Sequence, residues 1–234
     1  MKIKIIANPK KAWAKALAKK ISDFLSQKHI IVTKEADATV CIGGDGTVLY
    51  AGHNGDIEGA VLGIGGDTSY ICQIHHKNWK ESVKILESKK FEKIMTLNCE
   101  VSGKSYRVLN DIVVHATHYR VVEMGVKTKG RIYFFEGDGM IISSPVGSTA
   151  YAFSAGGRKF KPKERNISVV PICAYKRAFL PLVLSENEKV SIKAGSDCAF
   201  ILDGIFIRNL KPGEVVNIRK GSDMIFFNGV GKNE

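Results

Sequence analysis

Thr39-Val40-Cys41-Ile42, followed by Gly43-Gly44-Asp45-Gly46-Thr47 and then Val48 onward, reads as a strand, a glycine-rich turn and the start of a helix. Units of that kind build parallel sheets with helices on their faces. The flanking sequence repeats the alternation. Residues 2–7 form a β-branched run closed by the turn signal Asn8-Pro9. Residues 11–28 carry Trp13, Leu17, Ile21, Phe24 and Leu25 at helical spacing. Residues 29–33, 38–42 and 60–64 read as further strands. Residues 79–89 return to a helical pattern through Val83, Ile85 and Leu86.

After about residue 91 the pattern changes. Short apolar runs at 106–109, 112–114, 132–135, 140–142, 168–173, 181–184, 189–193, 199–202, 215–219 and 224–227 follow one another with Gly, Asn, Asp or Pro at the breaks. That is the pattern of a β-rich domain made of hairpins. The one helical candidate there is 148–155, after Pro145-Val146-Gly147. The expected fold is an α/β domain with a mostly parallel sheet over residues 1–95, then a β-rich domain over 96–234. The last residues are expected to pack back on the first domain, and the active site to lie in the inter-domain cleft.

Composition narrows the function classes. The 234 residues are 44% hydrophobic and 25% charged, which excludes disorder and a disulfide-dense scaffold. No apolar run approaches the ~20 residues of a membrane span. The N-terminus reads as a strand and not as a signal peptide, so the expected location is cytoplasmic. A net charge of +12 favours polyanionic ligands, whether nucleic acid, an acidic membrane or phosphorylated metabolites; a solvated Lys-rich surface is the plainer alternative. Five scattered cysteines without a CxxC pair, and histidines without partnering carboxylates or thiols, predict no structural metal site.

Several segments could carry chemistry. Glycines at the end of a parallel strand let backbone N–H groups approach an anion, and a helix N-terminus adds partial positive charge. Asp45 in such a loop would repel a phosphate, so it fits a hydroxyl acceptor, a general base or a metal ligand; the alternative is a helix-capping Asp. Gly63-Ile64-Gly65-Gly66-Asp67-Thr68 starts like a dinucleotide fingerprint but lacks its last glycine, and Gly103-Lys104-Ser105 lacks the upstream glycine of a Walker A loop. Asn110-Asp111 interrupts an apolar run, where an amide and a carboxylate could grip vicinal hydroxyls or an adenine edge, or simply mark a bulge or a strand-end turn. Gly137-Asp138-Gly139 and the stretch from Gly147 to Gly157 are dense in small and hydroxylated residues, suited to close ligand approach or to hairpin turns.

Taken together, Gly43-Gly44-Asp45-Gly46-Thr47, Leu109-Asn110-Asp111 and the run from Gly137 through Ser148-Thr149-Ala150-Tyr151 to Gly157 resemble the NAD kinase family, with 181–184 and Asp203-Gly204 fitting its later strands. The resemblance implies phosphoryl transfer from ATP or polyphosphate, with Mg²⁺, to the 2′-hydroxyl of NAD's adenosine ribose. It implies Asp45 as proton acceptor, Gly44, Gly46 and Thr47 around the phosphates, and Asn110 and Asp111 on the dinucleotide. Asp138, Thr149, Ala150, Tyr151 and Ser154 would line the nucleoside pockets. It also implies a homo-oligomer, dimer or tetramer, with neither nucleic acid nor membrane as partner. The chain departs from the family pattern at Asp111, commonly Glu, and at Glu136, commonly basic, for which Arg120 or Arg131 could substitute. The segment 65–70 and Ile205 depart as well. Rival readings are a non-catalytic NAD(H)-binding sensor and a lipid kinase with a similar loop.

Overall fold

The computed structural model describes residues 1–118 and 120–231. They form two compact units: Met1–Ile94 together with the chain from Asp223 on, and Met95–Ser222.

In the first unit the order is β1 (Lys2–Ala7), α1 (Ala12–Leu25), β2 (Ile30–Ile31), β3 (Ala38–Ile42), α2 (Asp45–His53), β4 (Ala60–Gly65), β5 (Ile74–His75), α3 (Glu81–Ser88) and β6 (Phe91–Ile94). Strands β2-β1-β3-β4 lie side by side, all parallel, and β5 adds in parallel to β4. Every residue of β3 and β4 is buried, which is why both read as unbroken small and apolar runs. Helix α1 buries Ala14, Leu17, Ile21 and Leu25, one stripe at three-to-four spacing. This stripe packs with Val40, Ile42, Leu62, Ile64 and Leu86 into one apolar cluster. Each such Leu or Ile contributes about 1.5–3 kcal/mol on leaving water.

The second unit contains β7 (Leu97–Val101), β8 (Lys104–Val108), β9 (Asp111–Ala116), β10 (Val122–Thr128), β11 (Arg131–Gly137), β12 (Gly139–Ser143), α4 (Tyr151–Ser154), β13 (Asn166–Ile172), β14 (Leu182–Ser185), β15 (Val190–Ala194), β16 (Cys198–Leu202), β17 (Ile205–Leu210) and β18 (Val215–Lys220). One sheet runs β11-β10-β15-β18-β7-β8 and the other β14-β13-β12-β9-β16-β17, antiparallel throughout. Ile112 and Val114 of β9, Met140 and Ile142 of β12, and Ile167 and Val169 of β13 pack with Met124, Val126, Ile192 and Val216 of the other sheet. The alternate residues Val113, Ile141, Val170 and Ile172 pack with Ala152 of α4 instead. The middle strands of that sheet are therefore covered on both faces, and their sequences lose the in–out alternation.

The chain returns to the first unit as β19 (Met224–Phe227), parallel to β4 through Phe226 and Val61 and antiparallel to β6. The expected mostly parallel sheet and the β-rich region are both present. Differences are local. The strand expected at 29–33 shrinks to two residues because it pairs only with β1 at the sheet edge, where Ile30 is exposed. The expected helix at 148–155 is a 3₁₀ turn, Gly147–Thr149, followed by the single turn α4, since Ala150 at φ −98°, ψ −123° breaks the run.

Candidate functional site

In the first unit, β3 ends where Gly43 and Gly44 turn the chain into α2 at φ +141° and +96°. A Cβ at Gly43 would stand 2.5 Å from both Asn8 Cβ and Thr47 Oγ1, so only glycine fits. Asp45 opens α2, one residue after the cap position that Gly44 holds, and its carboxylate collects three backbone N–H groups. Oδ2 accepts from Tyr70 at 2.7 Å, and Oδ1 from Ile71 at 3.0 Å and Cys72 at 3.1 Å. The Cys72 thiol also donates to it, and burial together with the Asp45 charge pushes that thiol up. A carboxylate offers about four acceptor positions, and the thiol is the weakest of the donors occupying them. A ligand hydroxyl thus competes with Cys72 Sγ alone for a place on Asp45.

The rest of the loop carries donors and cations. Lys11 occupies the position before α1, where its donor-only side chain cannot cap, and its ammonium instead donates to Gly43 O at 2.7 Å. A cation at a helix N-terminus opposes the helix dipole, a local cost that an arriving anion would reverse. Gly46 has open space around its missing Cβ. Thr47 is buried, its Oγ1 accepting from Asn8 Nδ2 at 3.3 Å. Gly46 and Thr47 line a cavity of about 330 Å³ walled by Ile6, Ala7, Pro9, Tyr50 and Ala51.

In the second unit the chain leaves one sheet at Val108 and enters the other at Asp111, so Asn110 is the corner between two sheets and not a bulge within a strand. Asn110 Oδ1 is buried without a hydrogen-bond partner among the described residues. Asp111 is buried too, and burial, with the nearby Asp203 charge second, pushes its carboxyl up to about 7. Tyr151 lies within the field of Cys173, Asp138 and Asp111, and burial first, then these groups, push its hydroxyl up. Asp138 sits in the turn between β11 and β12, its N–H bonded to Ile172 O at 2.9 Å and its carboxylate to the Cys173 thiol. Asp111 and Asp138 therefore both lie near Tyr151, with Asn110 next to Asp111 in the chain.

The remaining expected residues differ in standing. Ala150 is exposed beside Tyr151. Thr149 Oγ1 and Ser154 Oγ donate to carbonyls of their own turn, Val146 O at 3.2 Å and Ala150 O at 3.4 Å. Arg120 is exposed in the loop after β9, where its N–H bonds His118 O at 2.7 Å; among the described residues its side chain makes no ion pair. The contacts of Lys11, Ser144 and Asp203 span tens of residues and were not legible in the sequence, where Asp203-Gly204 stood out only as fitting the family's later strands.

Comparison with known proteins places these observations in a family. The family described as ATP-NAD kinase C-terminal domain matches residues 109–227. A protein named NAD kinase from Clostridium botulinum (strain Eklund 17B / Type B) is 35% identical over 198 residues, covering 79% of this chain and 70% of its own length. The NAD kinase of Chlorobium limicola is 28% identical over 96% of this chain and 90% of its own. Among solved structures, yeast NADH kinase complexed with NADH superposes with a TM-score of 0.86 at 20% identity, covering 100% of this chain and 84% of that one. An NAD kinase from Archaeoglobus fulgidus in complex with ATP gives 0.84 at 21%, covering 100% and 96%. At those identities the structural likeness establishes the fold.

Proposed function

Because this chain belongs to the NAD kinase family, we propose that it transfers a phosphoryl group from ATP to the 2′-hydroxyl of the adenosine ribose of NAD, giving NADP. It is an enzyme, and the observation that carries the chemistry is the sheet corner, where Asn110 Oδ1 is buried without a hydrogen-bond partner among the described residues, next to the buried Asp111 carboxyl. Buried acceptors without donors are costly to a fold, so a ligand is what completes them. The group Asn110, Asp111, Asp138 offers two carboxyl groups and one amide, so it is rich in acceptors and carries no cation. It suits the hydroxyls and amino group of a nucleoside and repels phosphates, which are themselves acceptors. Phosphates suit the first unit instead, with its glycine turn, helix N-terminus and Lys11 ammonium.

Each residue then has a task. Asn110 and Asp111 take the ribose hydroxyls of NAD, and Tyr151 offers its half-exposed ring to a base, flanked by Ala150, Thr149 and Ser154. Gly44, Gly46 and Thr47 shape the donor loop, while Lys11 balances donor charge. Asp45 orients the attacking hydroxyl and takes its proton as the phosphoryl group departs. Phosphoryl transfer passes through a loose transition state, so placement and charge balance dominate and the proton moves late. The apolar cavity beside Gly46 and Thr47 has room for a base, which supports ATP over polyphosphate as donor. Mg²⁺ would accompany the donor and be held by its phosphate oxygens. When bound it neutralises phosphate charge. Exposed Ile132 and Phe134 on the edge strand β11 support a homo-oligomer.

Calorimetric titration with NAD tests the acceptor pair. Asn110→Ala is expected to weaken NAD binding by about tenfold or more, the loss of a hydrogen bond in a dry site. Unchanged affinity would remove Asn110 from the site.

A further inference from the structure

We propose that Asp203 is a positioning residue for dinucleotide binding, its carboxylate fixing the sheet corner so that Asn110 and Asp111 present their side chains in one arrangement. The inference rests on the assignment of that corner to NAD. Where the chain leaves one sheet for the other, Leu109 and Asn110 lie between strands and Asp111 begins β9, so three consecutive N–H groups need partners at the corner. All three go to Asp203: Leu109 N to Oδ2 at 3.0 Å, Asn110 N to Oδ1 at 2.6 Å and Asp111 N to Oδ1 at 3.3 Å. The contact is reciprocal, since Asp203 N donates to Asp111 O at 2.9 Å. The two other carbonyls are taken by Ser144, whose Oγ donates to Leu109 O and whose N–H donates to Asn110 O at 2.9 Å. Every backbone polar group of the corner is thus engaged, and only the side chains of Asn110 and Asp111 are left for a ligand.

A carboxylate exceeds what the hairpin itself requires. Asp203 and Gly204, at φ +50° and +77°, form the two-residue turn between β16 and β17, a place that Asn fills equally well. Only a carboxylate accepts three N–H groups without turning an N–H of its own toward them. It also sets a second negative charge beside Asp111, which a purely structural residue has no reason to do. The other titratable groups near Asp111 are Tyr151 from α4 and, around the Tyr151 ring, Asp138 and Cys173.

Asp203→Asn keeps the turn preference, removes the charge and faces an amide N–H toward Leu109 N. With full-length protein, the expected result is an NAD KM raised about 10- to 100-fold with the donor KM within about twofold, the pattern of lost substrate binding. Any pH dependence of NAD affinity that Asp111 confers should shift to lower pH, because Asp111 ionises more readily without its neighbour while its burial remains. Asp203→Glu keeps the charge and misplaces it, so it should raise the NAD KM and leave the pH dependence intact; it serves as the test if the Asn variant does not fold. A folded Asp203 variant with wild-type NAD KM and wild-type pH dependence overturns the proposal. If wild-type protein makes no NADP at all, the functional assignment fails instead, and NAD titration of wild type against variant still decides whether Asp203 places a ligand-binding corner.

Discussion

Asp111 is a carboxyl buried beside another carboxylate, and its titration has a definite sign. Its folded value, about 7, lies above its ordinary one, so the native state holds the proton more tightly than the unfolded chain. Its contribution to stability is therefore fully present in acid and is lost as pH rises through neutrality. Asp111→Asn should be more stable than wild type at pH 8, by on the order of a few kcal/mol at most, with the gap narrowing as pH falls below about 7 and closing only below about pH 4. A gap that does not change with pH would mean that Asp111 titrates alike in the folded and unfolded protein. At this scale the sequence was legible where chemistry was local. Asp45 among three glycines and Asn110-Asp111 inside an apolar run stood out by type and spacing. The partners that give them meaning did not, because Asp203 meets the corner from more than ninety positions away.

Among the elements, the turn following β12 shows how packing transmits a small change to the site. A Cβ on Gly147 would stand 2.2 Å from Asn110 O, and Gly147 N donates to Ser144 Oγ at 3.2 Å, so the turn lies directly on the corner backbone. Gly147→Ala should lower both the melting temperature and NAD affinity, while Gly46→Ala, with open space around it, should leave the fold intact. Equal stability for the two variants in thermal unfolding would contradict that packing. Strands β3, β9, β12 and β13 were legible as apolar runs because both their faces are covered. Strand β17 was missed: Ile205–Leu210 alternates weakly, half exposed at a sheet edge, and carries Arg208 paired to Glu214. The hairpin that delivers Asp203 was thus only half visible in the sequence.

For the whole molecule, a net charge of +12 acts on two substrates that both carry phosphates. Such a field raises encounter rates and fades as salt shortens the Debye length from about 10 Å at 0.1 M to about 3 Å at 1 M. KM for NAD and for ATP should both rise about 3- to 10-fold between low and high salt, with kcat nearly constant. A salt-independent KM would show that charge serves solubility alone. The division of labour proposed for the two units, donor phosphates on the glycine turn and nucleoside on the sheet corner, stands or falls on Asp45. The most direct measurement is NADP formation by purified protein from NAD, ATP and Mg²⁺, with Asp45→Asn assayed alongside and its fold and NAD binding checked. The expected result is robust wild-type turnover that falls by orders of magnitude in a folded variant that still binds NAD. Near-normal turnover in that variant, or no NADP from the wild type, would contradict the account.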